Sequence, residues 1–183
     1  MIRTLLWIAG GVLLGGIIHL VVILALPNFA TNDVWSRVMA MDALDNPIVL
    51  PAVTAGAPNP LRLDPEMAYA VCRIDISKAP GTLSGQLPAG FWSLAIYNRA
   101  GNVVYSTTNR DGIGQTLDLG IFNAAQTRLL AEQRLDVAEG LLIVESPDDD
   151  IFILVRFAPP HPAMRARFAA ALANLDCGNI DEE

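Results

Sequence analysis

The sequence predicts a mainly β (α+β) fold in which a single N-terminal transmembrane helix carries a small antiparallel β-sheet or sandwich domain with a C-terminal helix. Three observations predict it. Residues 4–26 run for about 23 positions without a formal charge, long enough to cross a hydrocarbon core at a rise of about 1.5 Å per residue. Beyond residue 65, short runs that alternate apolar and polar residues are broken by Gly, Pro, Asn and Asp, the pattern of half-buried strands joined by turns. Residues 163–175 are alanine-rich, with Met164, Phe168, Leu172 and Leu175 at helical spacing. The chain then divides into a cytoplasmic stub with a transmembrane signal-anchor (1–28), a juxtamembrane helix with a Pro-rich connector (29–64), a β-rich domain with its C-terminal helix (65–178) and an acidic tail (179–183).

Length separates the readings of the first element. A secretory leader has an apolar core of about 7–15 residues followed by a small-x-small cleavage site. Here the run is longer and passes into Pro27-Asn28-Phe29-Ala30-Thr31, a poor match, so an uncleaved anchor is expected. Arg3 and the amino terminus precede the span and the next basic residue is Arg37, which places the N-terminus in the cytoplasm and the bulk of the chain outside it. Within the span, Gly10-Gly11 and Gly15-Gly16 give the small-xxx-small spacing of paired membrane helices. His19 is the span's lone ionisable residue, and is read as a neutral imidazole bonded to a neighbouring helix or backbone.

After the span, Thr31-Asn32-Asp33 offers N-cap residues for a helix over 34–44, with Trp35, Val38, Met39 and Leu44 on its apolar side. Trp35 suits either that side or the membrane interface, where aromatic belts form. Residues 45–64 contain four prolines and read as a connector, with a short strand at Ile48-Val49-Leu50. Residues 69–77 alternate, with Ala70, Cys72, Ile74 and Ile76 inward and Val71, Arg73, Asp75 and Ser77 outward. A short segment around Leu83 follows. Residues 91–98 alternate again and return as 103–107 after the turn Asn98-Arg99-Ala100-Gly101-Asn102, a hairpin. A strand is expected at 115–119, a helix at 122–132, and a second hairpin from runs 140–145 and 151–157 around Ser146-Pro147-Asp148-Asp149-Asp150. Pro162 suits the opening of the last helix.

Composition excludes several functions. The chain carries 12 basic and 19 acidic residues for a net charge of −7, and the basic ones form no run or stripe along the sequence. Nucleic acid and anionic headgroups, which require clustered Lys and Arg, are therefore not expected partners of the exported domain. No Cys-x-x-Cys occurs. In an oxidising compartment Cys72 and Cys177 would either bridge, closing a loop of about 105 residues worth on the order of 4 kcal/mol, or remain two buried thiols. His161 lies between prolines as the one histidine outside the span, so neither a His metal site nor a Ser-His-Asp triad assembles. No Gly-x-Ser-x-Gly or phosphate-cradling loop is present, and Asp148-Asp149-Asp150 lacks the spacing of a calcium loop. No cofactor and no catalytic residue is implied.

The polar residues that remain group around the predicted strand ends. Arg73 and Asp75 share one strand face, while Asn98, Arg99, Asn109, Arg110 and Asp111 gather at the hairpin ends, next to Trp92, Tyr97 and Tyr105. This group is the candidate binding surface, although Asn, Asp and Arg in turns more often bond their own backbone.

Residues 66–109 resemble the family called domain of unknown function 1254, in the step Asp75-Ile76-Ser77-Lys78-Ala79-Pro80, the aromatic strand Phe91-Trp92-Ser93-Leu94 and the pair Tyr97-Asn98. The layout of anchor, short helix, core strands and final helix is similar to the family's short membrane-anchored bacterial members. The resemblance implies a mainly β domain, often encoded beside or fused to a domain of unknown function 1214, and it implies no catalytic residues; together with the anchor and its orientation, the expected location is the bacterial inner membrane, with the domain in the periplasm. Two functions are therefore expected to compete. One is a non-enzymatic interaction module whose partner is a 1214-type or other envelope protein. The other is a small-molecule or glycan-binding, even catalytic, domain with a cleft lined by Trp92, Tyr97, Tyr105 and the polar group.

Overall fold

Strands with apolar residues at every second position must bury that face, and two such sheets do so by packing together. The structure, a computed structural model, describes residues 1–26, 33–110, 115–133 and 140–180. Its first element is α1 (Ile2–Ala25), a 24-residue helix long and apolar enough to cross a membrane, with none of its residues buried. The short α2 (Val34–Met39) follows, and then β1 (Ile48–Val49), β2 (Ala68–Asp75), β3 (Gly81–Gln86), β4 (Phe91–Asn98), β5 (Val103–Thr108) and β6 (Thr116–Asn123). Next come α3 (Ala124–Gln133), β7 (Leu142–Ser146), β8 (Asp150–Ala158), a single 3-10 turn Pro162–Met164, α4 (Arg165–Ala173) and β9 (Asp176–Asn179). The chain is thus mainly β with a few helices.

The described strands form two sheets, one ordered β1-β2-β8-β4-β5 and the other β7-β6-β3-β9. Their facing sides make one core. Cys72, Ile74, Leu94, Ile96, Ile153 and Phe157 of the first sheet meet Leu83, Leu117, Leu119, Ile121 and Cys177 of the second. Helix α4 closes one end, where the Phe168 ring meets that of Phe157 at 4.2 Å between centroids. Gly90 leaves room for this pair, because a Cβ there would meet Phe157 Cε1 at 2.9 Å.

The hairpin β4–β5 forms as expected, with a bulge after Ile96. The expected second hairpin does not. β7 pairs in parallel with β6, through α3, whereas β8 runs between β2 and β4 in the other sheet. Ser146-Pro147-Asp148-Asp149-Asp150 is therefore an arch between sheets. Ser146, fully buried, donates from Oγ to the Asp148 carbonyl at 2.7 Å and so tightens the crossing that two-residue hairpin geometry cannot make. The expected helix over 122–132 begins two residues later, since Phe122 and Asn123 continue β6. β9 was not expected at all, being four residues without alternation.

Cys72 and Cys177 are bridged, with Cα atoms 6.7 Å apart. Cys177 belongs to β9, so the bond joins β2 to β9 and hence one sheet to the other.

The outward side of β2 and β8 is covered too. Tyr69, Val71 and Phe152 form a second core with Trp35, Val38, Ala43 and Leu50. Segment 33–64 is accordingly part of the folded domain and not a spacer before it. Burial on both faces explains why residues 151–157 read as a continuous apolar run rather than an alternating one.

Candidate functional site

The residues expected to form one binding surface are divided by strand geometry. Successive side chains of a strand point to opposite faces. Trp92 is therefore buried in the inter-sheet core and Tyr105, opposite Ile96, packs against that same core. Tyr97 points outward and stacks on Phe152 at 4.9 Å between centroids. The three aromatic residues consequently do not line a common cleft, and the glycan-type cleft expected from them is not formed.

The polar residues separate along the strands instead. Arg73, Asp75, Tyr97 and Asn98 lie toward one end of the first sheet, with Arg73, Phe152 and Tyr97 in register across three strands. Asn109 and Arg110 lie beyond Thr108 at the other end, where the Asn109 amide donates to the Trp92 carbonyl, about 20 Å from Asn98 at the strand rise. Most of these groups bond locally. Asn98 accepts from the Asn102 amide at 2.8 Å and donates to Asp148 Oδ2 at 2.8 Å. Asp75 Oδ1 accepts from the Ser77 amide at 2.9 Å, and bonds from Ser77 hold its carboxyl below the ordinary value of 3.8, with Lys78 and Arg73 adding attraction. Arg73 donates to the Met39 thioether, and its backbone pairs with Ala43 and Asp45. Burial raises the Asp45 carboxyl, against the attraction of Arg73. Arg110 is exposed. Asp111 lies outside the described residues.

Concavity is found elsewhere, around α2. This six-residue helix is capped by Asp33, whose Oδ1 accepts from the Ser36 amide at 2.7 Å, and is held down by Trp35 and Val38. Hydrogen bonding from Ser36 holds the Asp33 carboxyl below its ordinary value, with Arg99 adding attraction. Proline excludes regular structure from 51–60, so this stretch loops over the sheet and leaves an apolar groove of about 560 Å³ between itself and α2, with Met41, Leu50, Val53, Pro58, Leu61 and Leu63 among its walls. A narrow extension of about 80 Å³ continues down to Val71, Phe152 and Leu154.

A second cleft, of about 530 Å³, adjoins the groove and shares Arg37, Pro60 and Leu61 with it. Here the tip of the β4–β5 turn, Arg99-Ala100-Gly101, comes beside α2 and brings Arg37, Arg62 and Arg99 to one cavity. The Arg37 guanidinium donates to the Pro60 carbonyl where the two spaces meet. Arg62 has a left-handed backbone (φ 52°), held by Asn59, which accepts from the Leu63 amide at 2.9 Å and donates to the Leu63 carbonyl at 2.8 Å. Sequence reasoning missed this arrangement because its arginines are 25 and 37 residues apart along the chain and no local pattern joins them. Among the described residues no group of three or more His, Cys, Asp and Glu is placed to hold a metal ion.

No protein-family model matches the chain, and no curated protein does. Among solved structures, the VPA0106 protein of Vibrio parahaemolyticus is similar with a TM-score of 0.50 and 10% identity, over 64% of this chain and 28% of that one. An uncharacterised protein of Burkholderia cenocepacia aligns with a TM-score of 0.43 and 13% identity, over 66% of this chain and 31% of its own. The chain thus spans less than a third of the length of either. At such identity the likeness to the Vibrio protein is one of fold.

Proposed function

We propose that the chain is a non-enzymatic accessory module of the bacterial cell envelope, with α1 spanning the inner membrane and the β-sandwich held at its outer face, where it meets another envelope protein. The observation that carries this reading is the build of the molecule. An apolar helix with no buried residue is followed, after only residues 27–32, by a segment that is itself built into the sandwich. Such a domain stays close to the bilayer, since seven Cα steps reach at most about 25 Å. Arg3 on the short side of α1 supports an N-terminus in the cytoplasm. The resemblance to domain of unknown function 1254 supports a partner of the 1214 type.

Reporter fusions test the topology. Alkaline phosphatase joined after Glu183 is expected to be active and a fluorescent reporter that matures only in the cytoplasm to be dark; the opposite pair removes the assignment. In-cell photocross-linking from a photoreactive residue at Val103 or Leu129, both exposed, tests the partner. An adduct with one envelope protein is expected, and recovery of the chain alone at native abundance overturns that part of the reading.

A further inference from the structure

We propose that the two joined cavities beside α2 form a single site for an anionic phospholipid of the bilayer that α1 spans, with Arg37, Arg62 and Arg99 taking the phosphate and the apolar groove taking part of an acyl chain. The inference rests on the reading of α1 as a membrane anchor.

Two contrasting chemistries meet in this site. The groove is walled mainly by Leu, Val, Pro, Ala and Met residues, while the adjoining cleft is lined by three arginines, and Arg37, Pro60 and Leu61 belong to both. An apolar cavity of about 560 Å³ falls in the range that takes a small-molecule ligand. A cavity that is apolar at one side and cationic at the other fits an amphiphile with an anionic head.

Charge complementarity fixes the sign. The chain as a whole carries −7, with 19 acidic residues against 12 basic, yet this cleft reverses the balance. It holds three arginines against one carboxylate, and that carboxylate, Asp33, already caps α2. Arginine remains charged at any relevant pH and meets phosphate oxygens through paired N–H donors. An acidic peptide, or a second copy of this acidic chain, would match the charge and leave the apolar groove unexplained.

Reach supplies the ligand. Leu26 ends the span and Asp33 begins the folded part, so the cleft's wall lies within about 25 Å of the end of the hydrocarbon core, where the headgroup layer begins.

The test uses the full-length chain in phosphatidylcholine nanodiscs doped with photoactivatable phosphatidylglycerol or, in parallel, with phosphatidylcholine carrying the same acyl label. Adducts are mapped by mass spectrometry. Both probes are expected to label α1, and the phosphatidylglycerol probe to label residues 50–63 selectively. Arg62→Gly with Arg99→Gln is expected to lower labelling of 50–63 by about tenfold and leave α1 unchanged. The glycine relieves a left-handed backbone and Arg99 is exposed in a turn, so the fold is retained; Arg99→Gln alone gives the same direction with a smaller loss. Labelling of α1 without 50–63, equal labelling of 50–63 by both lipids, or a protein adduct at 50–63 in place of lipid overturns the proposal alone. An unlabelled α1 overturns the membrane reading and the site with it.

Discussion

Asp75 shows what the turn residues of this chain do. The step Asp75-Ile76-Ser77-Lys78-Ala79-Pro80 carries the chain from β2 in one sheet to β3 in the other, and the Asp75 carboxylate holds it by accepting from the Ser77 amide. Asn179 secures the same step, donating to the carbonyls of Asp75 and Ala79 at 2.9 Å each. A carboxyl whose folded value is lowered contributes stability that is complete above its unfolded value of 3.8 and is lost as pH falls through the folded value. Asp75→Asn keeps an oxygen acceptor and removes the titration. Urea unfolding from pH 7 to pH 2 is therefore expected to show a shallower acid limb below about pH 4, with a change of about 0.5–1 kcal/mol at pH 7. An unchanged acid limb would show that the bond does not discriminate between charge states. Asp45 acts with the opposite sign, since burial raises it and its ionisation lowers stability as pH rises.

α2 is the element whose role the sequence left open. Six residues cannot hold a helix in water, so its cap and its burial must do so. Trp35 turns away from solvent and packs on Phe152 at 6.1 Å between ring centroids, so its place is the outer core and not an aromatic belt at the membrane surface. Trp35→Ala is expected to cost about 3–5 kcal/mol in chemical denaturation of the full-length chain in detergent, the ordinary cost of emptying a buried Trp site. A loss below about 1 kcal/mol would mean that α2 only rests on the sheet. The two apolar runs around Ser146-Pro147-Asp148-Asp149-Asp150 carry a related lesson. Each is a strand, but the acids between them bond across sheets, Asp148 with Asn98 and Asp149 with Asn123 at 3.1 Å. Strand propensity acts within one run, whereas the choice of neighbour depends on α3, which returns the chain to lie parallel to β6.

At the scale of the molecule, the two sheets are held by a shared apolar core and by one covalent bond. The Cys72–Cys177 bridge spans 105 residues, a loop whose closure restricts the unfolded chain strongly. Cys72→Ser, Cys177→Ser and the double variant are expected to lower stability alike, by about 2–5 kcal/mol, and reductant to bring the wild type to the same level. Denaturant midpoints with and without reductant measure this. A wild type indifferent to reductant would show that the core alone holds the sheets together.

The long apolar N-terminal helix, the mainly β class, the inward faces of β2 and β4 and the β4–β5 hairpin were legible because each depends on a pattern within one stretch of chain. Local pattern determines whether a segment is helix or strand and which side chains share a face, through the periods of 3.6 and 2. It carries no record of what lies against that face. Only the tertiary structure decided that the opposite faces bearing Trp92 and Tyr97 each meet a core, that Cys177 belongs to a strand of the opposing sheet, and that the connector covers β2 and β8. It also decided the site. Arg37, Arg62 and Arg99 are scattered in a chain of net charge −7, and they share a cavity only because a helix, a proline-rich loop and a hairpin tip converge there.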